Sequence, residues 1–341
     1  MPTLPFVAGA DMILIQNIRL LDPCVRRDEI LDILIGEGKV IKLGQALYLE
    51  STLIRRAKGE GLQVIDGTGL CAAPGFVDVH VHLREPGFEY KEDIASGARA
   101  ALRGGFTTVI AMANTKPVVD CPEVVLSVLK KGRSTPIHVK TCANITKGML
   151  GKELVDMKAL KEAGAVGFTD DGIPLMNEEL VREAMVQARK LKMPLCFHEE
   201  NPAFVFQSGI NRGEVAQSMG LEGADREAES SMVLRDCKLA KETGALIHIQ
   251  HISARESVDI VQKAKRLGVK VYAEATPHHF SLTQEAVVRF GTLAKMNPPL
   301  RTEEDRMAII EGLRDGTIDM IATDHAPHSV EEKSRAFVYA P

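Results

Sequence analysis

Eight short apolar segments alternate with stretches of helical periodicity along most of the chain, and this alternation restricts the fold more than any other feature. The segments read GFVDVHVHL (75–83), TTVIAMA (107–113), IHVKTCA (137–143), AVGFT (165–169), PLCFH (194–198), LIHIQH (246–251), VKVYAEAT (269–276) and DMIATD (319–324). Near-continuous apolar strands separated by helices form parallel sheets that are covered on both faces. Eight such strands make a (β/α)₈ barrel, whose sites lie at the carboxyl ends of the strands. We therefore predict an α/β fold with a TIM-like barrel.

A doubly wound open sheet is the alternative, but no GxGxxG motif follows an early strand. The stretches between the strands have helical periodicity, and residues 224–244 also carry boundary residues. Asp225 is a suitable N-cap, and Gly244 is a typical residue just past a helix C-terminus. We expect a helix between these two residues.

The segment ahead of the barrel has a different character. Residues 12–72 contain short strands joined by Gly- and Asp-rich turns, without a convincing helix. We predict a small β-sandwich-type domain over residues 1–72 and the barrel over residues 73–341. Residues 1–11 fit neither part, so the natural start is open between Met1 and Met12.

Composition excludes several classes of partner. A net charge of −4 with no Trp and 4% aromatic residues gives neither a basic surface nor a stacking platform for nucleic acid. No run approaches 18 apolar residues, and the N-terminus is a poor signal peptide. The six cysteines are scattered without a CxxC pair, which is typical of reduced thiols. We predict a cytoplasmic protein with no nucleic-acid and no membrane partner.

The first barrel strand carries two histidines that share a face. His80 and His82 are at i and i+2, so on a strand they point to the same side. Such a pair can hold a metal ion, or it can be a chance pairing of core histidines. The polar residues near the other strand ends distinguish between a metal site and a pair of core histidines.

Further polar side chains follow the other strands, where barrel sites form. They are Asn114, Asp170, Asp171, His198, His248, His251, Asp324, His325 and His328. Each has a simpler interpretation on its own: a strand histidine is usually a hydrogen-bonded core residue, and the two aspartates before Gly172 could form a turn. Imidazole and carboxylate ligands together suit zinc, and a barrel mouth has room for two ions. Their concurrence on one rim favours a metal site.

Six segments carry a resemblance to a known family. They are GFVDVHVHLREPG, GGFTTVIAMANTKP, GFTDDG, AEATPHHF, KMNPPLR and IATDHAPH. In this order and spacing they resemble the signature segments of class I dihydroorotases, in the amidohydrolase superfamily. The resemblance runs from about residue 12 to the last residue.

The resemblance implies a ligand set for two zinc ions. His80, His82 and Asp324 would bind the first ion and His198 and His251 the second, with Asp171 and a hydroxide bridging the two. Hydantoinases and dihydropyrimidinases bridge instead with a carboxylated lysine after strand four. FTDDG has no lysine there, which favours the class I dihydroorotase pattern.

It also implies an activity and a substrate site. Arg84, Asn114, Asn297 and His328 match substrate-binding positions, and His82 would lie beside the substrate. The implied reaction is the reversible, zinc-dependent hydrolysis of dihydroorotate to N-carbamoyl-L-aspartate, in de novo pyrimidine biosynthesis. The bridging hydroxide would attack the ring amide carbonyl, with Asp324 as general acid and base.

The sequence departs from the family at its C-terminal end. It stops at EEKSRAFVYAP, so we expect the substrate loop with its Phe-Gly pair, the eighth helix and the closing strands of the β-domain to be missing. A non-catalytic subunit that supports aspartate transcarbamoylase is one alternative, disfavoured because all six ligand positions are filled. A hydantoinase- or allantoinase-like activity is another. The sequence leaves open whether this chain is active, how many zinc ions it binds, and whether it forms a homodimer or binds a transcarbamoylase. We expect a supporting role in the site or the fold for His248, His278, His279 and His325.

Overall fold

The computed structural model describes residues 12–49 and 62–341. It divides into two compact units, the first ending at Gly75 and the second beginning at Phe76. The interpretation of residues 1–11 lies outside the described residues. None of the helices in the described ranges is long and apolar enough to cross a membrane.

The first unit is built on one mixed β-sheet. Its described strands are β1 (Met12–Asp22), β2 (Arg27–Gly36), β3 (Lys39–Gly44), β4 (Leu62–Asp66) and β5 (Cys71–Ala72). The order is β3-β2-β1-β4, and β5 also pairs with β1. Glu37 and Gly38, both with positive φ, form the two-residue connection between β2 and β3, because such connections follow the right-handed twist of the strands.

The second unit contains a closed ring of parallel strands. Its strands are β6 (Phe76–Val81), β7 (Phe106–Ala111), β8 (His138–Thr141), β9 (Phe168–Thr169), β10 (Leu195–Phe197), β11 (Ile247–Ile249), β12 (Val271–Ala275) and β13 (Met320–Ile321). Neighbours in the chain are neighbours in the two sheets, β6-β7-β8 and β9 to β13. Single parallel bridges, Ala143 with Phe168 and Val81 with His325, join the two sheets at both sides. The predicted eight-stranded barrel is confirmed.

Helices alternate with the barrel strands and supply the outer layer. They are α1 (Ile94–Arg103), α2 (Pro122–Gly132), α3 (Met157–Ala163), α4 (Glu178–Leu191), α5 (Glu214–Ser218), α6 (Glu227–Thr243), α7 (Arg255–Arg266), α8 (Pro277–Ser281), α9 (Glu285–Phe290), α10 (Glu303–Asp315) and α11 (Val330–Lys333). Short 3-10 helices span Pro23–Val25, Leu47–Leu49, Lys147–Met149, Pro202–Phe204 and Gly291–Ala294. Barrel-strand side chains such as Phe168, Leu195 and Ile247 are fully buried because these helices cover them.

The boundaries of α6 test one local prediction at each end. Gly244 ends the helix in the left-handed conformation, with a φ of 70°, as its sequence position predicts. The N-cap prediction for Asp225 is wrong, since the helix begins at Glu227 and its cap residue, Arg226, makes no side-chain capping bond. The Asp225 carboxylate instead accepts a hydrogen bond from Arg212 Nη1 at 2.8 Å, because an arginine brought near by the fold competes with the helix N-terminus.

Backbone hydrogen bonds join the first and last barrel strands close to the predicted metal ligands. Asp324 N donates to His80 O at 3.0 Å, and His82 N donates to His325 O at 2.8 Å. Below them the buried Asp78 carboxylate accepts from Thr323 N at 3.1 Å and from Thr323 Oγ1 at 2.5 Å. Closure of the barrel therefore fixes Asp324 beside His80 and His82.

Candidate active site and metal centre

Asp171, directly after β9, lies at the centre of four imidazoles. Its Oδ1 atom is 3.6 Å from His80 Nε2, 3.7 Å from His198 Nδ1 and 3.7 Å from His251 Nε2. Its Oδ2 atom is 3.3 Å from His82 Nε2. One carboxylate therefore faces all four histidines that the sequence nominates as ligands, with each oxygen turned to a different subset.

Asp324 completes the group from the end of the last strand. Its Oδ1 atom is 3.1 Å from His82 Nε2 and 3.4 Å from His80 Nε2. The ligand atoms of His80, His82 and Asp324 lie within 4.8 Å of one another, as do those of His80, Asp171 and His251. The structure thus brings together all six side chains that the sequence nominates, with His198 Nδ1 3.0 Å from His251 Nε2.

The chemistry of these donors fits a metal ion. Among the described residues, His80 Nε2 and Asp171 Oδ1 are buried and have no hydrogen-bond partner. Buried polar atoms are nearly always paired, and a metal ion bound between this nitrogen and this carboxylate oxygen would satisfy both. Imidazole nitrogen and carboxylate oxygen are ligands that zinc accepts. The group can therefore hold one or more metal ions.

The same groups stabilise positive charge in the site. Burial opposes ionisation of Asp171, yet the nearby imidazoles of His80, His198 and His251 hold the pKa of its carboxyl well below the usual value. Burial likewise disfavours a charged His198, but Asp171 and Glu200 raise its pKa to about 9. A cluster in which carboxylates remain ionised and attract protons onto nearby imidazoles is also one that attracts a divalent cation.

The neighbouring Asp170 has a different role from Asp171. Its Oδ1 atom accepts from Ile145 N at 2.9 Å, from Thr146 N at 3.3 Å and from Asn144 Nδ2 at 3.2 Å. The Thr146 hydroxyl donates to its other oxygen. Asp170 therefore ties the segment after β8 to the end of β9, while Asp171 faces the four imidazoles.

A cavity of ≈ 470 Å³ opens directly over the ligand cluster. The side chains that the sequence nominates for substrate binding line it: His82, Arg84, Asn114, Asn297 and His328. Lys295 and His278, which the sequence analysis did not assign to the substrate, line it as well. The cavity joins cationic and amide groups on its walls to the metal-ligand cluster at its base.

Hydrogen bonds hold the cavity side chains in place. Asn114 Oδ1 is 2.9 Å from His82 Nδ1, and Asn114 Nδ2 donates to the backbone oxygen of Asp171 at 3.2 Å. Arg84 Nε donates to Pro327 O at 3.0 Å, and Arg84 Nη2 is 3.4 Å from His328 Nε2. Burial and the adjacent guanidinium lower the pKa of His328 to about 4. His328 is therefore neutral at pH 7 beside a charged arginine.

Asn297 reaches the cluster from the other side of the cavity. Its Nδ2 donates to Glu200 Oε2 at 3.0 Å and lies 3.5 Å from His198 Nε2. Glu200 Oε2 is itself 3.5 Å from His198 Nε2. Glu200 and Asn297 therefore face the ring nitrogen of His198 that points away from Asp171.

Three residues of this site have a strained backbone conformation. Arg84, His251 and Asp324 have φ values of 62°, 32° and 49°, in a region that residues other than glycine rarely adopt. Each such conformation costs about 1–3 kcal/mol and persists only where the surrounding structure enforces it. Two predicted ligands and the predicted carboxylate-binding arginine are all held this way, which supports a functional reason for their placement.

The remaining nominated histidines support the site and the fold in different ways. His279 Nδ1 is 2.6 Å from Thr276 Oγ1, and its Nε2 is 3.0 Å from Pro298 O. His325 Nε2 is 2.7 Å from Glu92 Oε2. His248 Nε2 is 3.0 Å from Glu274 Oε2, inside the barrel.

Glu274 is the important residue that sequence reasoning missed. It lies in β12, is fully buried, and its Oε1 atom is 2.5 Å from His80 Nδ1. A glutamate inside the apolar strand VKVYAEAT was the available signal. An acidic residue is almost never fully buried without a partner, so a glutamate in this strand predicts a paired group beside it.

The adjacent aspartates give a matched test of these assignments. Asp170→Asn should lower the free energy of unfolding by about 1–3 kcal/mol, because it weakens hydrogen bonds to buried backbone donors, and should leave zinc binding intact. Asp171→Asn should instead reduce the zinc retained after dialysis. Urea unfolding in the presence of a chelator and metal analysis of the dialysed proteins check the pair. Loss of zinc from the Asp170 variant alone would reverse the two roles.

Comparison with known proteins places the chain in a family. Residues 69–257 match a family model described as dihydro-orotase-like. A dihydroorotase of Clostridioides difficile (strain 630) is 57% identical over 97% of this chain and 76% of its own length, and one of Clostridium acetobutylicum is 50% identical over the same shares. The solved L-hydantoinase of Arthrobacter aurescens superposes with a TM-score of 0.79 at 22% identity, over 94% of this chain and 70% of its own, and shares the barrel fold. The chain belongs to the dihydroorotase-like family.

Proposed function

We propose that this chain is a dihydroorotase, which hydrolyses the cyclic amide of dihydroorotate to N-carbamoyl-L-aspartate and catalyses the reverse ring closure. The observation that carries the proposal is Asp171 at the centre of four imidazoles, at the base of a cavity lined by Arg84 and His328. The relatives at 50–57% identity are dihydroorotases. The proposed biological context is pyrimidine synthesis, which uses the ring-closing direction.

The proposed cofactor is a pair of zinc ions. His80, His82 and Asp324 would hold one ion, His198 and His251 the other, and Asp171 both. When bound, zinc polarises a carbonyl oxygen and lowers the pKa of a water molecule toward neutrality. Asp171 turns Oδ1 to His80, His198 and His251 and Oδ2 to His82, so ligands of both proposed ions lie around this one carboxylate, which supports its role as the shared ligand.

Arg84 is the proposed anchor for the substrate carboxylate. Its Nε–H is already used by Pro327 O, which leaves the other guanidinium nitrogens, beside the neutral His328, for an incoming anion. A guanidinium can meet a carboxylate with two parallel hydrogen bonds, and amide donors such as Asn114 can add a third. Asn297, across the same cavity, is the proposed partner for the opposite part of the ring.

Asp324 is the proposed proton carrier. Its carboxylate lines the cavity beside His82, and its backbone, with a φ of 49°, lies just past the last strand. In hydrolysis it accepts the proton of the attacking water as the new C–O bond forms, and delivers that proton to the ring nitrogen as the C–N bond breaks. Ring closure uses the same carboxylate in the opposite order.

Three other assignments extend this proposal. The cytoplasm is the proposed compartment, because all six cysteines are free thiols and none is paired in a disulfide. A homodimer and an association with aspartate transcarbamoylase remain hypotheses about partners. A hydantoinase-like activity is less favoured, because the residue at the centre of the cluster is an aspartate rather than a lysine.

The direct test is hydrolysis of dihydroorotate by the purified 341-residue chain, with metal content read on the same sample. We expect turnover that a chelator abolishes and zinc restores. Hydantoin and allantoin serve as control substrates and should be hydrolysed far more slowly. Faster hydrolysis of either control would replace the proposed substrate, and bound zinc without turnover of any of the three would favour the non-catalytic subunit.

Asp324→Asn separates the proton carrier from the metal-binding role. The amide keeps an oxygen for the metal but cannot carry the proton, so kcat should fall by about 10²–10⁴-fold while zinc content stays close to the parent value. Steady-state kinetics and metal analysis check this. A kcat near that of the parent enzyme would remove Asp324 from proton transfer.

Arg84→Ala tests carboxylate recognition. Loss of a charge-assisted hydrogen-bonding partner costs about 1.5–3 kcal/mol, so KM for dihydroorotate should rise by about 10- to 150-fold. The matched control is Arg99→Ala, which removes an exposed arginine from α1 and should leave KM unchanged. An unchanged KM in the Arg84 variant would assign the carboxylate to another group.

A further inference from the structure

Glu274 touches the ligand cluster from below, on the side away from the cavity. It is fully buried in β12, and its Oε1 atom lies 2.5 Å from His80 Nδ1. The same oxygen accepts a hydrogen bond from the backbone N–H of His251 at 3.1 Å. One carboxylate thus contacts a nominated ligand of each proposed zinc ion, through a ring nitrogen in one case and the backbone in the other.

The two ring nitrogens of His80 have different surroundings. Nε2 faces the cluster, 3.4 Å from Asp324 Oδ1 and 3.6 Å from Asp171 Oδ1, and Nδ1 faces Glu274. A neutral imidazole carries its proton on one nitrogen and a lone pair on the other, and the hydrogen bond at one nitrogen selects the form. Only a proton on Nδ1 leaves the Nε2 lone pair free for a metal ion.

A second neighbour of Nδ1, the side-chain amide of Gln250, favours the opposite tautomer. Gln250 Nε2 lies 3.3 Å from His80 Nδ1. The Gln250 side chain is oriented by Thr169 Oγ1, which donates to its Oε1 atom at 3.1 Å, and its Nε2 contacts Met112 Sδ at 3.2 Å. An amide N–H directed at Nδ1 would need the lone pair there, which would move the proton to Nε2 and turn it toward the cluster.

We propose that Glu274 is a positioning residue that selects the metal-binding tautomer of His80 against Gln250. The carboxylate oxygen lies 0.8 Å closer to Nδ1 than the amide nitrogen does, 2.5 Å against 3.3 Å, so we expect it to determine where the proton lies. Carboxylates that accept the second N–H of a metal-bound histidine fix the ring and raise its basicity. The inference rests on the metal centre of the proposed function and extends it to a residue that touches no substrate.

A purely structural role for Glu274 makes different predictions. The carboxylate also holds the His251 backbone N–H and lies beside His248, so removing it could simply loosen the barrel interior. Loosening would lower stability and worsen when the adjacent Gln250 is changed as well. Tautomer selection instead predicts that substituting Gln250 as well restores part of the lost zinc affinity. Without the competing amide, the carboxylate is no longer needed to keep the proton on Nδ1.

The experiment is a zinc titration of the metal-free protein in competition with a chromophoric chelator. Glu274→Gln keeps the side-chain volume and loses the charge, and we expect zinc affinity to fall by about 10- to 100-fold. Gln250→Met should bind zinc at least as tightly as the parent. The double variant Glu274→Gln, Gln250→Met should regain part of the affinity that Glu274→Gln loses, a coupling that a double-mutant cycle measures directly.

Asp305→Asn is the matched control, since it changes another buried carboxylate, one held by Arg226 Nη2 and Thr302 Oγ1 in the α10 region. It should leave zinc affinity unchanged, and thermal unfolding in a chelator reports the fold of every variant. If Glu274→Gln fails to fold, the zinc affinity of the Gln250→Met variant is the test. A tenfold loss of zinc affinity in that variant overturns the proposal. Unchanged affinity in Glu274→Gln, or a double variant weaker than the sum of the single changes, also overturns it.

These results separate the inference from the proposed function. Zinc binding without turnover of dihydroorotate would overturn the proposed reaction and leave the Glu274 titrations valid. Failure of the parent chain to bind zinc would overturn the metal centre and this inference together. Normal binding and turnover with an insensitive Glu274→Gln variant would overturn the inference alone.

Discussion

The pair of backbone hydrogen bonds between the first and last barrel strands is the constraint on which the site depends. Asp324 N to His80 O and His82 N to His325 O join residues that are more than 240 positions apart in the chain. They close the ring of strands, so that six side chains from five strand ends face one another. Without closure, the carboxylate of Asp324 would have no fixed relation to the two histidines, and the cavity above them would have no base.

Charge balance explains why so many ionisable groups can be buried together. Asp171, Asp324 and Glu274 are carboxylates in a region where isolated charges are costly, and each one lies beside imidazole nitrogens. Asp170 is buried as well, but backbone N–H groups satisfy it. The buried carboxylates at this site are therefore of two kinds, one that accepts hydrogen bonds from the backbone and others that face imidazole nitrogens. Positive φ at Arg84, His251 and Asp324 adds a conformational cost that the fold sustains at this place.

Fold similarity and family membership carry different information about this protein. The hydantoinase superposes closely at 22% identity, which identifies the barrel scaffold and leaves the substrate undetermined. The 50–57% identity to dihydroorotases shows the family to which the chain belongs. What distinguishes candidate reactions on such a scaffold is the chemistry of a few side chains, here the aspartate at the end of β9 and the arginine and histidine that meet across the cavity.

The sequence by itself determined the eight strands, the barrel and the stop of α6 at Gly244, because strand periodicity and helix-end residues are local properties. The six residues that meet at the barrel mouth followed from the resemblance of the sequence to a known family. Tertiary structure alone decided which partners those residues have. Asp225 pairs with Arg212 rather than capping its helix, Asp170 accepts hydrogen bonds from the backbone whereas Asp171 faces imidazoles, and Glu274 lies against His80. The physical reason is that hydrogen bonds and burial are set by groups far away in the chain, and their positions exist only after the ring of strands has closed.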